Sequence, residues 1–125
     1  MKKKQNIIHK KLLEIPAFKA GDDTLLKEVL HPKNDNIDCA FSLASASLGP
    51  GECSLPHRLT GSETYFFTAG QGSIFIEGKE HKVASGHVVF VPPNAEQYVR
   101  NDGGVDLEFL CIVSPAWSED GEEVF

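Results

Sequence analysis

Long apolar runs are missing from this 125-residue chain, and no stretch approaches the roughly 20 apolar residues needed to span a bilayer. After the Lys2-Lys3-Lys4 cluster, Gln5, Asn6 and Ile7-Ile8-His9-Lys10-Lys11 leave no apolar core of signal-peptide length. A soluble, cytoplasmic protein is therefore expected. Positive charge is scarce as well: 12 Lys and Arg against 18 Asp and Glu give a formal charge of −6, which repels a phosphate backbone. Nucleic acid and membrane drop out as expected partners. Cysteine is limited to Cys39, Cys53 and Cys111, odd in number, far apart and without a C-x-x-C pair. That spacing excludes a disulfide framework and a cysteine-built structural zinc site. Cys111, within "LEFLCIV", reads as a small buried hydrophobe. Cys53 precedes "SLPH" without a sequence neighbour that would serve as its base. Helical periodicity is absent after residue 30, and no repeat of 20 to 50 residues occurs, which excludes solenoids and propellers. At this length one domain with one core is expected.

What remains is dense in β-forming residues. From residue 37 onward, short β-branched and aromatic runs alternate with Gly, Pro, Asn and Asp, the pattern of an antiparallel sandwich or barrel. Strands are predicted near 39–48, 55–60, 63–69, 72–77, 80–84, 87–91, 96–100 and 106–113. In "TYFFTAGQGSIFIEG", Gly70 and Gly72 stand where a tight turn needs positive φ. The earlier "NIIHKKLLEIPAF" fits strand or helix, with strands favoured, and "TLLKEVLHP" reads as an extended arm suited to pairing across a dimer. The chain thus divides into an N-terminal arm over 1–36, a barrel over 37–116 and an acidic tail over 117–125, "SEDGEEVF" being expected to stay solvated and mobile.

The twofold period of a strand assigns side chains to faces. If Glu63 points inward, Tyr65 and Phe67 follow it, and His57 turns inward with Leu59 while Arg58 faces out. In "DLEFLCIV" the charged Glu108 belongs outside, which sends Leu107, Phe109, Cys111 and Val113 in. Gln97 and Val99 share the inward parity, opposite to Glu96, Tyr98 and Arg100. The interior is then apolar with three polar intruders, His57, Glu63 and Gln97, which is the composition of a ligand pocket walled by Leu59, Phe67, Val99 and Phe109. Phe66, Phe75 and Tyr98 fall on the outer face and suggest a homodimer. His81 and His87 lie beside turns and read as exposed. His31 reads as surface, or as a neighbour of a pocket mouth if a swapped N-terminal arm brings it there. Trp117, after the last strand, is placed to seal a barrel end.

At these positions the chain resembles the cupin superfamily. The family's first motif, G-x5-H-x-H-x3-E-x6-G, fits Gly51, His57, Glu63 and Gly70, with Leu59 at the second histidine. The second, G-x5-P-x-G-x2-H-x3-N, fits Gly86, Pro92 and Asn101, with Asn94 at the glycine and Gln97 at the histidine. The likeness covers residues 37–114. It implies an all-β double-stranded β-helix, a jelly-roll barrel, and a divalent metal (iron, manganese, nickel or zinc) held by His57, Glu63 and Gln97, Leu59 replacing a ligand with methyls that carry no lone pair. It also implies a small oxygenated ligand, carboxylate or sugar-like, and an activity of the isomerase, decarboxylase or dioxygenase type. Three readings of the polar trio stay open at this level: a metal site; a metal-free His57–Glu63 acid–base dyad with Tyr65 as the opposing acid, resembling sugar epimerases on the same barrel; and a core histidine beside a buried carboxylate. A non-enzymatic binding or sensing module is the rival class, and no helix-turn-helix accompanies the barrel.

Overall fold

The computed structural model describes residues 7–125. It places eleven strands among them: β1 Phe18–Lys19, β2 Leu25–Leu30, β3 Ser42–Leu48, β4 His57–Leu59, β5 Ser62–Ala69, β6 Gln71–Ile76, β7 Lys79–Ala84, β8 Val88–Val91, β9 Gln97–Asn101, β10 Leu107–Ser114 and β11 Glu122–Val124. They form two antiparallel sheets, a six-stranded one ordered β1-β2-β3-β10-β5-β8 and a five-stranded one ordered β11-β4-β9-β6-β7. Each of the eight strands expected from sequence is present, with bounds shifted by a few residues. No helix among the described residues is long and apolar enough to cross a membrane.

Alternation does what the sequence requires of it. Along β10 the buried residues are Leu107, Phe109, Cys111 and Val113, and along β5 they are Glu63, Tyr65 and Phe67. Of these, Tyr65, Phe67, Leu107, Phe109 and Cys111 meet Ile74 and Val99 of the second sheet in one core. Sheet-on-sheet closure of this kind removes apolar area from water along every strand, the dominant favourable contribution to folding. Gly70 has φ of +83°, as the turn requires. At Gly72 the reason for glycine is different: a Cβ there would run into the Arg100 carbonyl oxygen, so close approach of β6 and β9 excludes a side chain.

The chain ends depart from expectation. Strands were favoured over "NIIHKKLLEIPAF", but its described part forms a 3-10 turn at Leu12–Glu14, with only the two-residue β1 completing at Phe18. The first six residues, including the Lys2-Lys3-Lys4 cluster, lie outside the described ones. The arm strand β2 pairs with β3 of the same chain, Leu26 opposite Ala46. The acidic tail, expected to be free, instead forms β11 and pairs with β4, Val124 opposite His57. Its polar sequence concealed two anchors: Arg58 pairs with Glu123 at 2.6 Å and lies over the Phe125 ring at 5.4 Å. The main-chain ladder contributes alongside them, because an exposed ion pair alone adds at most about 1 kcal/mol. Of the outward aromatics, Phe75 and Tyr98 stack on each other at 4.4 Å with Arg100 over Phe75. Phe66 stays exposed on the other sheet, close to Val88 and Phe90 of β8.

Candidate functional site

Each end of the barrel pocket is built by a short piece of strand. Pro56 precedes β4, whose burial pattern turns His57 and Leu59 inward and Arg58 out. The main chain of β4 meets β9 with His57 directly opposite Gln97. Across the interior, β5 carries Glu63 and Tyr65 opposite Val113 and Cys111 of β10. Between β4 and β5, a Cβ at Gly61 would lie 2.6 Å from the Ser114 carbonyl oxygen, so the turn that brings His57 and Glu63 to one place depends on glycine.

His57, Glu63, Tyr65 and Gln97 are all buried. The His57 Nδ1 lies 2.9 Å from the Leu55 carbonyl oxygen, which can only accept, so Nδ1 carries a proton and donates it. Nε2 is thereby left facing the cavity, 3.7 Å from Glu63 Oε1 and 4.0 Å from Asp22 Oδ2. The Tyr65 hydroxyl donates to Gln97 Oε1 and stands 3.2 Å from Glu63 Oε1, tying the carboxylate to the opposite sheet. Burial opposes a charge on His57, but the Glu63 carboxylate, the Leu55 carbonyl and the Asp22 charge outweigh it and hold the imidazole pKa at about 9. The ring is therefore cationic at neutral pH. Burial, then the charge of Glu63, pushes the Tyr65 hydroxyl well above its ordinary range, and the same two causes act on the Cys111 thiol. Both stay protonated.

The cavity holds about 130 Å³, on the scale of a void that accepts benzene. Of the expected wall, Leu59, Tyr65, Val99 and Phe109 line it together with His57 and Glu63. Phe67 does not. It lies behind the wall, fully buried, with its ring 5.3 Å from that of Phe109 and 6.0 Å from that of Tyr65. Gln97 is likewise not part of the lining and reaches the site through the Tyr65 hydroxyl. Cys53 is exposed, as are His81 and His87.

The chain ends supply much of the lining, Asp22, His31, Trp117 and Glu122 among it. Asp22 is set by an Asx turn, its Oδ1 accepting from Thr24 N at 3.2 Å and Thr24 Oγ1 at 2.7 Å, while its carbonyl accepts from Leu55 N at 2.6 Å. Glu122 enters on β11, and burial, helped by the nearby Asp22 and Glu63 charges against the pull of His57, raises its carboxyl pKa. His31 lines the cavity, its Nε2 donating to the Trp117 carbonyl at 2.7 Å, and Trp117 in turn donates its N–H to Ser42 Oγ at 2.9 Å. The arm thus reaches the pocket within its own chain. "DDT" does carry an Asx-turn signature in the sequence, but only the β2–β3 register brings it to His57.

Whether a divalent metal suits this donor set can be read from the atoms. Leu59 fills the place of one ligand with methyls, and the Gln97 amide oxygen already takes the Tyr65 proton. Among the described residues no group of three or more His, Cys, Asp or Glu is arranged to hold a metal ion. The arrangement is a poor fit for a resident metal.

Comparison with known proteins bears on the family. An oxalate-binding protein of Thermotoga maritima is 31% identical over 90 residues, which are 71% of this chain and 69% of that protein. A protein of Thermotoga maritima described as a predicted oxalate decarboxylase superposes with a TM-score of 0.77 at 21% identity, over 86% of this chain and 99% of that one. Pac13, a nucleoside dehydratase from Streptomyces, superposes at 0.76 and 19% identity, over 96% and 92%. At those identities the two structures share the fold. The family model for the cupin domain matches residues 45–113, and this chain belongs to the cupin family.

Proposed function

We propose that this cupin binds a small oxygenated metabolite in the barrel cavity and that His57 serves it as a general acid, without a resident metal. The observation that carries the proposal is the placement of His57 Nε2, aimed into the cavity between two carboxylates while Nδ1 is fixed on Leu55. A buried imidazole with carboxylates on both sides gains its proton readily and presents it at one atom. That proton goes to a ligand oxygen and the neutral ring then takes a proton from a neighbouring ligand carbon, which balances isomerisation or epimerisation and, where the protonated oxygen leaves as water, dehydration. Glu63 and Asp22 stabilise the imidazolium. Tyr65, expected as an opposing acid, positions Glu63, because its hydroxyl proton already lies between Gln97 and Glu63. A relative that binds oxalate supports a small oxygenated ligand. Phe66, Val88 and Phe90 on the exposed face support a homodimer, which light scattering would test.

Metal analysis of protein purified without chelator tests the metal-free part, the expected content being well below one metal per chain. A stoichiometric ion that survives dialysis would overturn it. The acid role is tested on turnover: once a substrate is in hand, His57→Gln should abolish kcat while leaving the ligand bound, and retained turnover would overturn the acid role.

A further inference from the structure

The charges that line the cavity are one-sided. Asp22, Glu28, Glu63 and Glu122 all contribute to its wall, and no Lys or Arg does so among the described residues. The nearest candidates are committed elsewhere: Arg58 points out to Glu123, and Lys27 donates to the Leu12 carbonyl. Apart from His57, the hydrogen-bond partners of the carboxylates are neutral, Thr24 for Asp22, Tyr65 for Glu63 and Asn34 for Glu28, so one imidazolium is set against four acidic side chains. Only His57 opposes the acidic charge.

We propose that the ligand of this cavity is a small organic cation, a quaternary ammonium or sulfonium group on a short oxygenated carbon skeleton. The inference rests on the cavity being the ligand site. An excess of acidic side chains over the single His57 imidazolium favours a cation, and a low-dielectric pocket strengthens that preference. A bulky onium group suits the cavity better than a metal ion, since among the described residues no three His, Cys, Asp or Glu are arranged to hold one. The rest of the wall is largely apolar, with aromatic rings from Tyr65, Phe109 and Trp117, the residue types that receive onium groups. The His57 Nε2 proton is left for an oxygen of the same ligand. An unchelated oxalate dianion meets the wrong field here, which separates this pocket from that of the oxalate-binding relative.

Trp117 is the only tryptophan and lines the cavity, so its fluorescence reports occupancy. Choline, its uncharged isostere 3,3-dimethyl-1-butanol, and oxalate are titrated in the presence of EDTA, with calorimetry in parallel. Choline should bind saturably, about tenfold or more tighter than dimethylbutanol, and Asp22→Asn with Glu122→Gln should weaken it by a similar factor. Equal affinity for choline and dimethylbutanol would overturn the cation and leave the pocket standing. So would tighter binding of oxalate, or an unchanged choline affinity in the double variant. Absence of binding by all three probes overturns the proposal. The pH titration of His57 in the free protein reports on the acid–base reading separately. The two amide variants keep shape, and their thermal melts distinguish lost binding from lost fold.

Discussion

Replacing Glu63 by glutamine removes one charge and almost no volume, which makes it the sharpest probe of the pocket. At 3.7 Å from His57 Nε2, a carboxylate acting through an effective dielectric near 20 stabilises the imidazolium by about 4 kcal/mol, or about three in pKa. Glu63→Gln should therefore bring the His57 pKa from about 9 down to about 6, near or below the ordinary 6.5, because burial then opposes the charge with only Asp22 on the other side. Tyr65 keeps an acceptor in the amide oxygen, so the fold should survive. The sign for stability follows from linkage: the folded pKa is raised, so the contribution is complete below pH 6.5 and is lost as pH rises through about 9. Its size in the native protein is about 3 kcal/mol at its fullest. Urea unfolding of the native protein should weaken between pH 6.5 and 9, and the variant should show no such slope. Proton NMR of the ring follows the titration directly, His57→Gln identifying its resonance among the five histidines. A His57 pKa still near 9 in the Glu63 variant would refute the electrostatic assignment on which the acid role depends.

Two further outcomes bear on the same residues. Tyr65→Phe removes the donor to the buried Gln97 oxygen and should cost about 1–3 kcal/mol in urea unfolding, with Gln97→Met added on top recovering part of it; an undisturbed single variant would show that the bond contributes nothing. Leu59→His places an imidazole on the face of His57 and should raise nickel or manganese affinity about tenfold or more by calorimetry, whereas an unaltered affinity would mean that position 59 is turned from the site.

Much of the site was legible because a strand has a period of two. That period alone sent His57, Leu59, Glu63, Tyr65, Val99 and Phe109 inward, and the spacing of the two motifs tied them to a known barrel. Period does not give depth. Phe67 has the parity of Tyr65 and yet lies behind the cavity, since two residues along β5 carry it beyond the lining and into the packing of Phe109. Gln97 has the parity of Val99, but the Tyr65 hydroxyl takes its oxygen. Asp22 and Glu122 were out of reach for another reason: neither sits in an alternating run of the barrel, and both arrive through pairings of segments distant in sequence, β2 on β3 and β11 on β4.

By itself, then, the order of residues determined the all-β barrel, which side chains enter it, and the meeting of one imidazole with one carboxylate, because each of these follows from local alternation and short turns. Tertiary structure alone decided that the arm and the tail return to the same pocket, that the carboxylates there outnumber the cations, and that the Gln97 oxygen is engaged. Those are consequences of long-range register and of electrostatics summed over neighbours, and no local pattern encodes either.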